Sequence, residues 1–408
     1  MEPQPSSVRG YPDVTTPRGP GGLLATILRG QFLPALVAGL ASRLATWRGC
    51  PFKIGGRVIA ARHADVVEIL ARDLDFLIAP VNAARIDAVN GPFVLGMDRS
   101  ATLAIERQTL YSALRQVDMG KIRAQVAREA ENAIARAGTG PLDVVGDYAR
   151  PIAARAAQAV FGIKGSDEQL FKDVARAIFA HTFLNTSGDK KIEARALRAG
   201  VLMRTWFAEE IKRRRTSGEL GDDMMGALIR DGVLDDDGVR RTLGGMLVGS
   251  IDTTATAVAK IVKTMGRDRQ LRERMAADVN DVQRFGGWCR EALRRWPHNP
   301  VLLRSAPFDT TLDQTPVKAG AIVVAWIQAA MHDRRVFPEP QRLRPDRPPT
   351  AYLHFGGGLH PCAGRAVNEF QIPLLVGRLV ARGIDRVGRV KWAGSFPDGL
   401  DVSFGKRL

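Results

Sequence analysis

Through the middle of the chain apolar residues return every three or four positions, and the strict alternation typical of strands is confined to the flanks. Residues 121–137, 142–161, 168–184 and 191–215 each carry the helical spacing, which predicts helices with one buried face. Residues 216–223 (TSGELGDD) interrupt it. Residues 235–266 then read as one long helix whose middle is almost free of charge. That predicts deep burial, with Asp252 as its only candidate for a buried charge. Residues 270–295 are helical again and end before Pro297.

The flanks read differently. Residues 52–61 (FKIGGRVIAA) predict a hairpin, two alternating runs around the favoured turn pair Gly55-Gly56. A short helix follows at 63–70, and residues 78–96, rich in Asn, Gly and Pro, read as irregular. After residue 295 come β-like pieces at 301–305 and 321–327, a Pro/Arg-rich coil at 334–350, a glycine-rich loop and a closing helix at 363–381. The expected fold class is mainly α with a minor β component. Residues 51–408 form one domain in this reading, and residues 1–50 form a leader with an amphipathic segment.

Composition narrows the class. At 408 residues, with 45% apolar and 25% charged residues, the chain has a globular composition and enough apolar mass for a large core. Its three cysteines, Cys50, Cys289 and Cys362, share no CxxC spacing, so neither a zinc site nor a disulfide framework is expected, and a cytoplasmic location fits best. A membrane-spanning helix needs about 20 mostly apolar residues. The best candidate, residues 23–44, is interrupted by Arg29, Gln31, Pro34 and Arg43. It reads as an amphipathic helix with at most a weak contact to a membrane surface. The net charge of +16 suits a basic docking face for an acidic protein, or for anionic lipid. No arginine cluster alternates with aromatics, so nucleic-acid binding is not expected.

The densest chemistry lies at residues 354–364, HFGGGLHPCAG. Glycines permit a tight turn and a close backbone approach to a flat ligand. A cysteine just before a helix has amide N–H groups and the positive helix end to stabilise a thiolate. With no second Cys or His at zinc spacing, one thiolate implies a metal whose other ligands are not protein, and haem meets that description. Phe355, Gly358, Cys362 and Gly364 fill the pattern FxxGxxxCxG, which resembles the haem-binding signature of the cytochrome P450 family.

Two further motifs extend the resemblance. Glu291 and Arg294 share a helix face and match the family's ExxR pair, with Arg347 in RPDRP as its third member; the implied role is structural. Gly249-Ser250-Ile251-Asp252-Thr253 resembles the family's oxygen-activation motif AGxDT, although Ser250 stands where glycine is usual and narrows the groove. An acid and an alcohol inside an apolar helix are costly unless they are satisfied or used.

The resemblance implies a P450 fold with haem b (iron protoporphyrin IX) held between a long distal helix and the cysteine loop. Cys362 is then the iron ligand, and Phe355, Gly358, His360, Gly364, Arg304 and Arg107 surround the cofactor. His360, Arg304 and Arg107 serve its propionates, with Leu103 replacing the histidine of the family's HxxxR. Thr253 and Asp252 carry the proton chemistry. By family position the substrate pocket takes in Ile86, Val89, Phe93, Phe179, Phe183, Met246, Gly249, Val301 and Leu302, so a mainly apolar small molecule is expected. The implied function is insertion of one atom of O₂ into that substrate, with electrons from a separate redox protein such as a ferredoxin with its reductase. Two alternatives share the cofactor: a peroxide-driven peroxygenase or hydroperoxide isomerase, and a non-catalytic haem-based small-molecule binder.

Overall fold

The computed structural model describes residues 13–15, 32–163, 167–185, 187–266 and 268–405. Helices dominate, as the spacing predicts: Met119–Ala137, Arg150–Phe161, Glu168–Phe179, Lys190–Ser217 and Val282–Arg295 each lie within or close to a predicted stretch. They pack around Asp252–Met265 and the last helix, Arg365–Arg382, which share the largest buried apolar cluster. Deep in that cluster the Tyr148 hydroxyl donates to the Leu375 carbonyl at 2.8 Å.

The main sheet has four strands. Strands β1 (Phe52–Ile54) and β2 (Arg57–Ala60) form the predicted hairpin, with Gly55 and Gly56 at φ 54° and 74°, the left-handed pair that such a turn requires. Three short strands follow in the chain, β3 (Leu142–Asp143), β4 (Leu302–Ser305) and β5 (Thr310–Leu312), and then β6 (Thr315–Val317) and β7 (Ile322–Ala325). The sheet order is β1-β2-β7-β4, with β2 parallel to β7 and β4 antiparallel to it, setting Arg304 opposite Val323. Beyond the last helix lie β8 (Ile384–Val387), β9 (Lys391–Ala393), β10 (Phe396–Gly399) and β11 (Asp401–Phe404), which the sequence reading left out.

Four expectations are corrected. Residues 78–96 are not irregular throughout: Ala79–Val89 is a helix, because Pro80 sits in its first turn, where no N–H is needed. Residues 270–295 are two helices, Arg269–Ala277 and Val282–Arg295. Residues 235–266 are also two, Asp236–Val248 and Asp252–Met265, interrupted at Gly249–Ile251. The cause is local. Ser250 donates its hydroxyl to the Leu247 carbonyl, Thr253 donates to that of Gly249, and Thr254 to that of Ser250, so three hydroxyls compete with the ladder at a glycine. Finally, Asp252 is not the only buried charge there, since Lys260 is buried too.

Residues 16–31, most of the first half of the expected amphipathic segment, lie outside the described residues. The rest forms the helix Phe32–Arg48, which packs Ala38 and Ala45 against Ala61 and Ala329. Its larger apolar side chains, Leu36, Val37, Leu40, Leu44 and Trp47, face outward. Among the described residues one stretch, Asp236–Met265, is long and apolar enough to cross a membrane, and 78% of its most apolar window is buried in the fold.

Candidate active site beneath the broken helix

A cavity lies between the interruption at Gly249–Ser250 and the loop that carries Cys362. Cys362, Ala363 and Gly364 form one wall, Gly245, Met246, Gly249 and Ser250 another, and Phe93 closes an end. The loop turns at Gly356 and Gly358, with φ 69° and 64°, and the Cys362 amide donates to the Phe355 carbonyl at 2.8 Å. A Cβ at Gly358 would stand 1.6 Å from the Leu70 carbonyl oxygen. The close approach that this glycine permits is therefore to the neighbouring helix rather than to a ligand.

Burial pushes the Cys362 thiol up, against the pull of the Gly364 amide and of the charge and amide of Arg365. A cation at the cavity wall is what would turn this sulfur into a thiolate.

The Glu291–Arg294 pair is fully buried. Arg294 Nε donates to Glu291 Oε1 at 2.7 Å and its Nη2 to Oε2 at 3.0 Å. Arg347 Nε approaches Oε1 at 3.4 Å, so the expected third member is present. The sequence reading missed Tyr352, whose hydroxyl donates to Oε1 at 2.9 Å, and the Arg344 amide, which donates to Oε2 at 3.0 Å. Arg294 also donates to the carbonyls of Met331 and Pro340, tying the helix to the Pro-rich coil.

Asp252 is built differently. Its Oδ1 accepts from Arg150 Nε at 3.1 Å, from Arg176 Nε at 2.9 Å and from Arg176 Nη2 at 2.6 Å, while Oδ2 has no partner among the described residues. Burial pushes this carboxyl up, but the two guanidinium charges outweigh it and hold it below the ordinary range. Neither arginine was foreseen. The available signal was that each interrupts an apolar helical run, RPIAARAAQAVF and VARAIF, where a charge needs a partner. Thr253 returns its hydroxyl to the Gly249 carbonyl.

The candidate pocket residues divide into groups. Phe93, Met246 and Gly249 line the cavity with Cys362. Phe179 and Phe183 meet at a tilt with ring centroids 4.8 Å apart, and Phe179 also meets His298 and Phe396 edge-on. Ile86 and Val89 are buried in the core, and Val301 and Leu302 are half-buried at the start of β4.

Comparison with known proteins places this geometry. The family model for cytochrome P450 matches residues 190–382, the span that holds Asp252, Glu291, Arg294, Arg304 and Cys362. Over that span, just under half of its length, the chain resembles the cytochrome P450 family. Among its relatives, cyclooctat-9-en-7-ol 5-monooxygenase of Streptomyces melanosporofaciens is 26% identical, the match covering 49% of each chain. Biflaviolin synthase of Streptomyces coelicolor is 29% identical over 59% of this chain and 57% of its own. The matches thus span about half to three fifths of those curated relatives. The crystal structure of CalO2 superposes with a TM-score of 0.79 at 18% identity, covering 92% of this chain and 98% of that one, which shows the same fold.

The cofactor that this family implies is haem, iron protoporphyrin IX, and the residues around the Cys362 loop fit it. The decisive observation is Arg304. It is buried, it donates to the neighbouring Leu303 carbonyl at 2.8 Å, and it has no ion-pair partner among the described residues. Burial brings its guanidinium down to about 10, against the attraction of Asp98. A buried cation without an anion is a place prepared for a carboxylate, and a haem propionate supplies one. His360 lies close enough to feel that charge; its Nε2 is 2.8 Å from the Met97 carbonyl. Arg107 stands over the Tyr111 ring at 5.2 Å, in a separate hollow with Arg99 and Leu359. Tyr111 feels both Arg107 and Cys362. Leu103, in the family's histidine position, is buried in the core.

Proposed function

We propose that this P450 is a haem–thiolate monooxygenase that inserts one oxygen atom of O₂ into a mainly apolar small organic molecule. The observation that carries the reading is Cys362, which precedes a helix and lines a cavity with Gly249 and Ser250, in the interruption just before the acid–alcohol pair. When bound, the haem supplies the oxygen-activating chemistry. The chain supplies the rest. Cys362 would ligate the iron, and Arg304, His360 and Arg107 would serve the propionates. Phe355, Gly358 and Gly364 shape the ligand loop. The Glu291–Arg294–Arg347 cluster fixes the coil beneath it. Asp252 and Thr253 handle the protons, a pair that a peroxide-driven enzyme does not need. Phe93, Met246 and Gly249 give the pocket its apolar wall, with Ile86, Val89, Phe179, Phe183, Val301 and Leu302 around it.

Electrons come from a separate protein in this reading, such as a ferredoxin with its reductase, docked on a basic surface of a chain with net charge +16. Residues 51–408 act as one haem domain, in the cytoplasm. The outward apolar stripe of Phe32–Arg48 supports a weak contact with a membrane surface.

The test is the carbon monoxide difference spectrum of the dithionite-reduced holoprotein. The red-shifted Soret band of a thiolate complex is expected, and it is lost in Cys362→Ala. A band at the imidazole-type position would overturn the reading.

A further inference from the structure

Along the helix Asp252–Met265, residues 252, 256 and 260 recur every four positions and share one face. All three are buried polar residues, and each keeps hydrogen-bonding capacity unused. Among the described residues Asp252 Oδ2 has no partner, and neither has Thr256 Oγ1. The Lys260 ammonium donates to the Pro297 carbonyl at 2.8 Å and has no other acceptor among the described residues. One residue beyond Pro297 stands His298, with both ring nitrogens buried and without partners among the described residues. The charges of Lys260 and Asp252 both reach it.

Thr256 is the telling member. Thr253, Thr254 and Thr264, on the same helix, all return their hydroxyls to the carbonyl four residues back. Thr256 has no such bond, so its buried hydroxyl is left free for a partner outside its own backbone. Buried polar atoms without protein partners are the sites where native proteins hold ordered water. Here such atoms stand in a row that starts at the free oxygen of Asp252. The other oxygen is clamped by Arg150 and Arg176, which leaves Oδ2 as the atom able to exchange a proton.

We propose that Asp252 Oδ2, Thr256, His298 and Lys260 line a file of water that carries protons along the back of the distal helix to the Asp252–Thr253 pair. The inference rests on the monooxygenase reading, which consumes protons at that pair. Each transfer moves one proton from a water or side chain to the next acceptor, and the donor takes another from behind, so no residue changes charge over a cycle. Thr256 passes a proton through its hydroxyl. His298 accepts at one nitrogen while releasing from the other; burial, helped by the nearby Lys260 charge, holds the ring down at about 3, so it is a neutral relay and stores no charge. Lys260, which burial brings down to about 8, exchanges readily near neutrality.

The test uses the haem-loaded enzyme with Thr256→Val, Thr256→Ser, His298→Phe and Lys260→Met. A high-resolution crystal structure of the wild type is expected to show ordered water within hydrogen-bond distance of Asp252 Oδ2, Thr256 Oγ1 and the His298 ring, and Thr256→Val is expected to lose part of it. With a supplied redox chain, Thr256→Val should lower product formed per O₂ consumed by about 10-fold and raise the solvent deuterium isotope effect. Thr256→Ser should restore both, and the carbon monoxide spectrum should not change. A dry row in the crystal would overturn the inference. So would wild-type coupling and isotope effect in both Thr256→Val and Lys260→Met. A wild type that binds haem but forms no product would overturn the monooxygenase reading instead, and the water density would still decide the file.

Discussion

Two buried acids of this chain sit beside arginines, and they are satisfied to different degrees. Glu291 accepts four hydrogen bonds, two from Arg294 and one each from Tyr352 and the Arg344 amide, shared over both oxygens, with Arg347 alongside. Asp252 accepts three, all on Oδ1, and leaves Oδ2 bare. A carboxylate with both oxygens engaged is a fixed counter-charge: it orients its neighbours and has little capacity left for a proton. A carboxylate anchored by one oxygen is held in place and can still do chemistry with the other. Both sites are charged and buried, so burial and charge alone do not separate structure from function. The distribution of partners over the two oxygens does.

The largest expected effect comes from breaking the saturated site. Glu291→Ala leaves Arg294 and Arg347 buried without their acid and should cost about 3–5 kcal/mol in urea unfolding of the haem-free protein. Glu291→Leu combined with Arg294→Met removes both charges together and should recover part of that loss. If the single and double variants unfold at the same midpoint, the site is not a coupled ion pair and the comparison fails.

Asp252→Asn probes the half-satisfied site and should cost less, about 3 kcal/mol at neutral pH, because Arg150 keeps Asp173 and Arg176 keeps Asp398. The sign with pH follows from the lowered carboxyl of Asp252. The unfolded chain binds its proton more readily, so the ion pair stabilises the fold above the unfolded value of about 3.9 and is lost as pH falls through the folded value. The gap between wild type and Asp252→Asn is therefore expected to narrow in acid, below about pH 4. Midpoints measured across pH check this, and a gap that widens in acid would reverse the assignment of Asp252 as a charged anchor.

Which of these features a reader of the sequence can find depends on how far apart the partners lie. Spacing at three and four residues marks the helices, and the pattern around Cys362 marks the ligand loop, because both are local. Asp252 is legible as a costly residue, but its partners Arg150 and Arg176 stand 102 and 76 residues away, and nothing local says which charge they meet. Tyr352 reaches Glu291 across 61 residues in the same way. The interruption at 249–251 is hidden because apolar residues continue across it, while the cause is three hydroxyls bonding back to the chain. Lys260 is missed since a lysine on a helix defaults to solvent. Gly358 looks like a ligand-contact glycine in the motif, yet the carbonyl it makes room for is that of Leu70, from a helix near the other end of the chain.

Arg304 takes the comparison to its limit, a buried charge with no counter-ion among the described residues. With its guanidinium brought down to about 10 by burial, the folded chain holds this proton less tightly than the unfolded chain does. The charged form therefore works against folding at every pH below about 10, and the penalty eases as pH rises through that value. Arg304→Leu should leave the haem-free protein as stable as wild type or more so, the opposite of Glu291→Ala. It should also release haem about 10-fold faster to an excess acceptor, because a charge-assisted bond to a propionate is gone. Unfolding of the haem-free protein and the rate of haem loss are separate measurements, and the expectation is that they move in different directions. If the variant instead destabilises the haem-free fold and releases haem at the wild-type rate, Arg304 is a structural residue, and the buried cation belongs with the saturated cluster rather than with the cofactor.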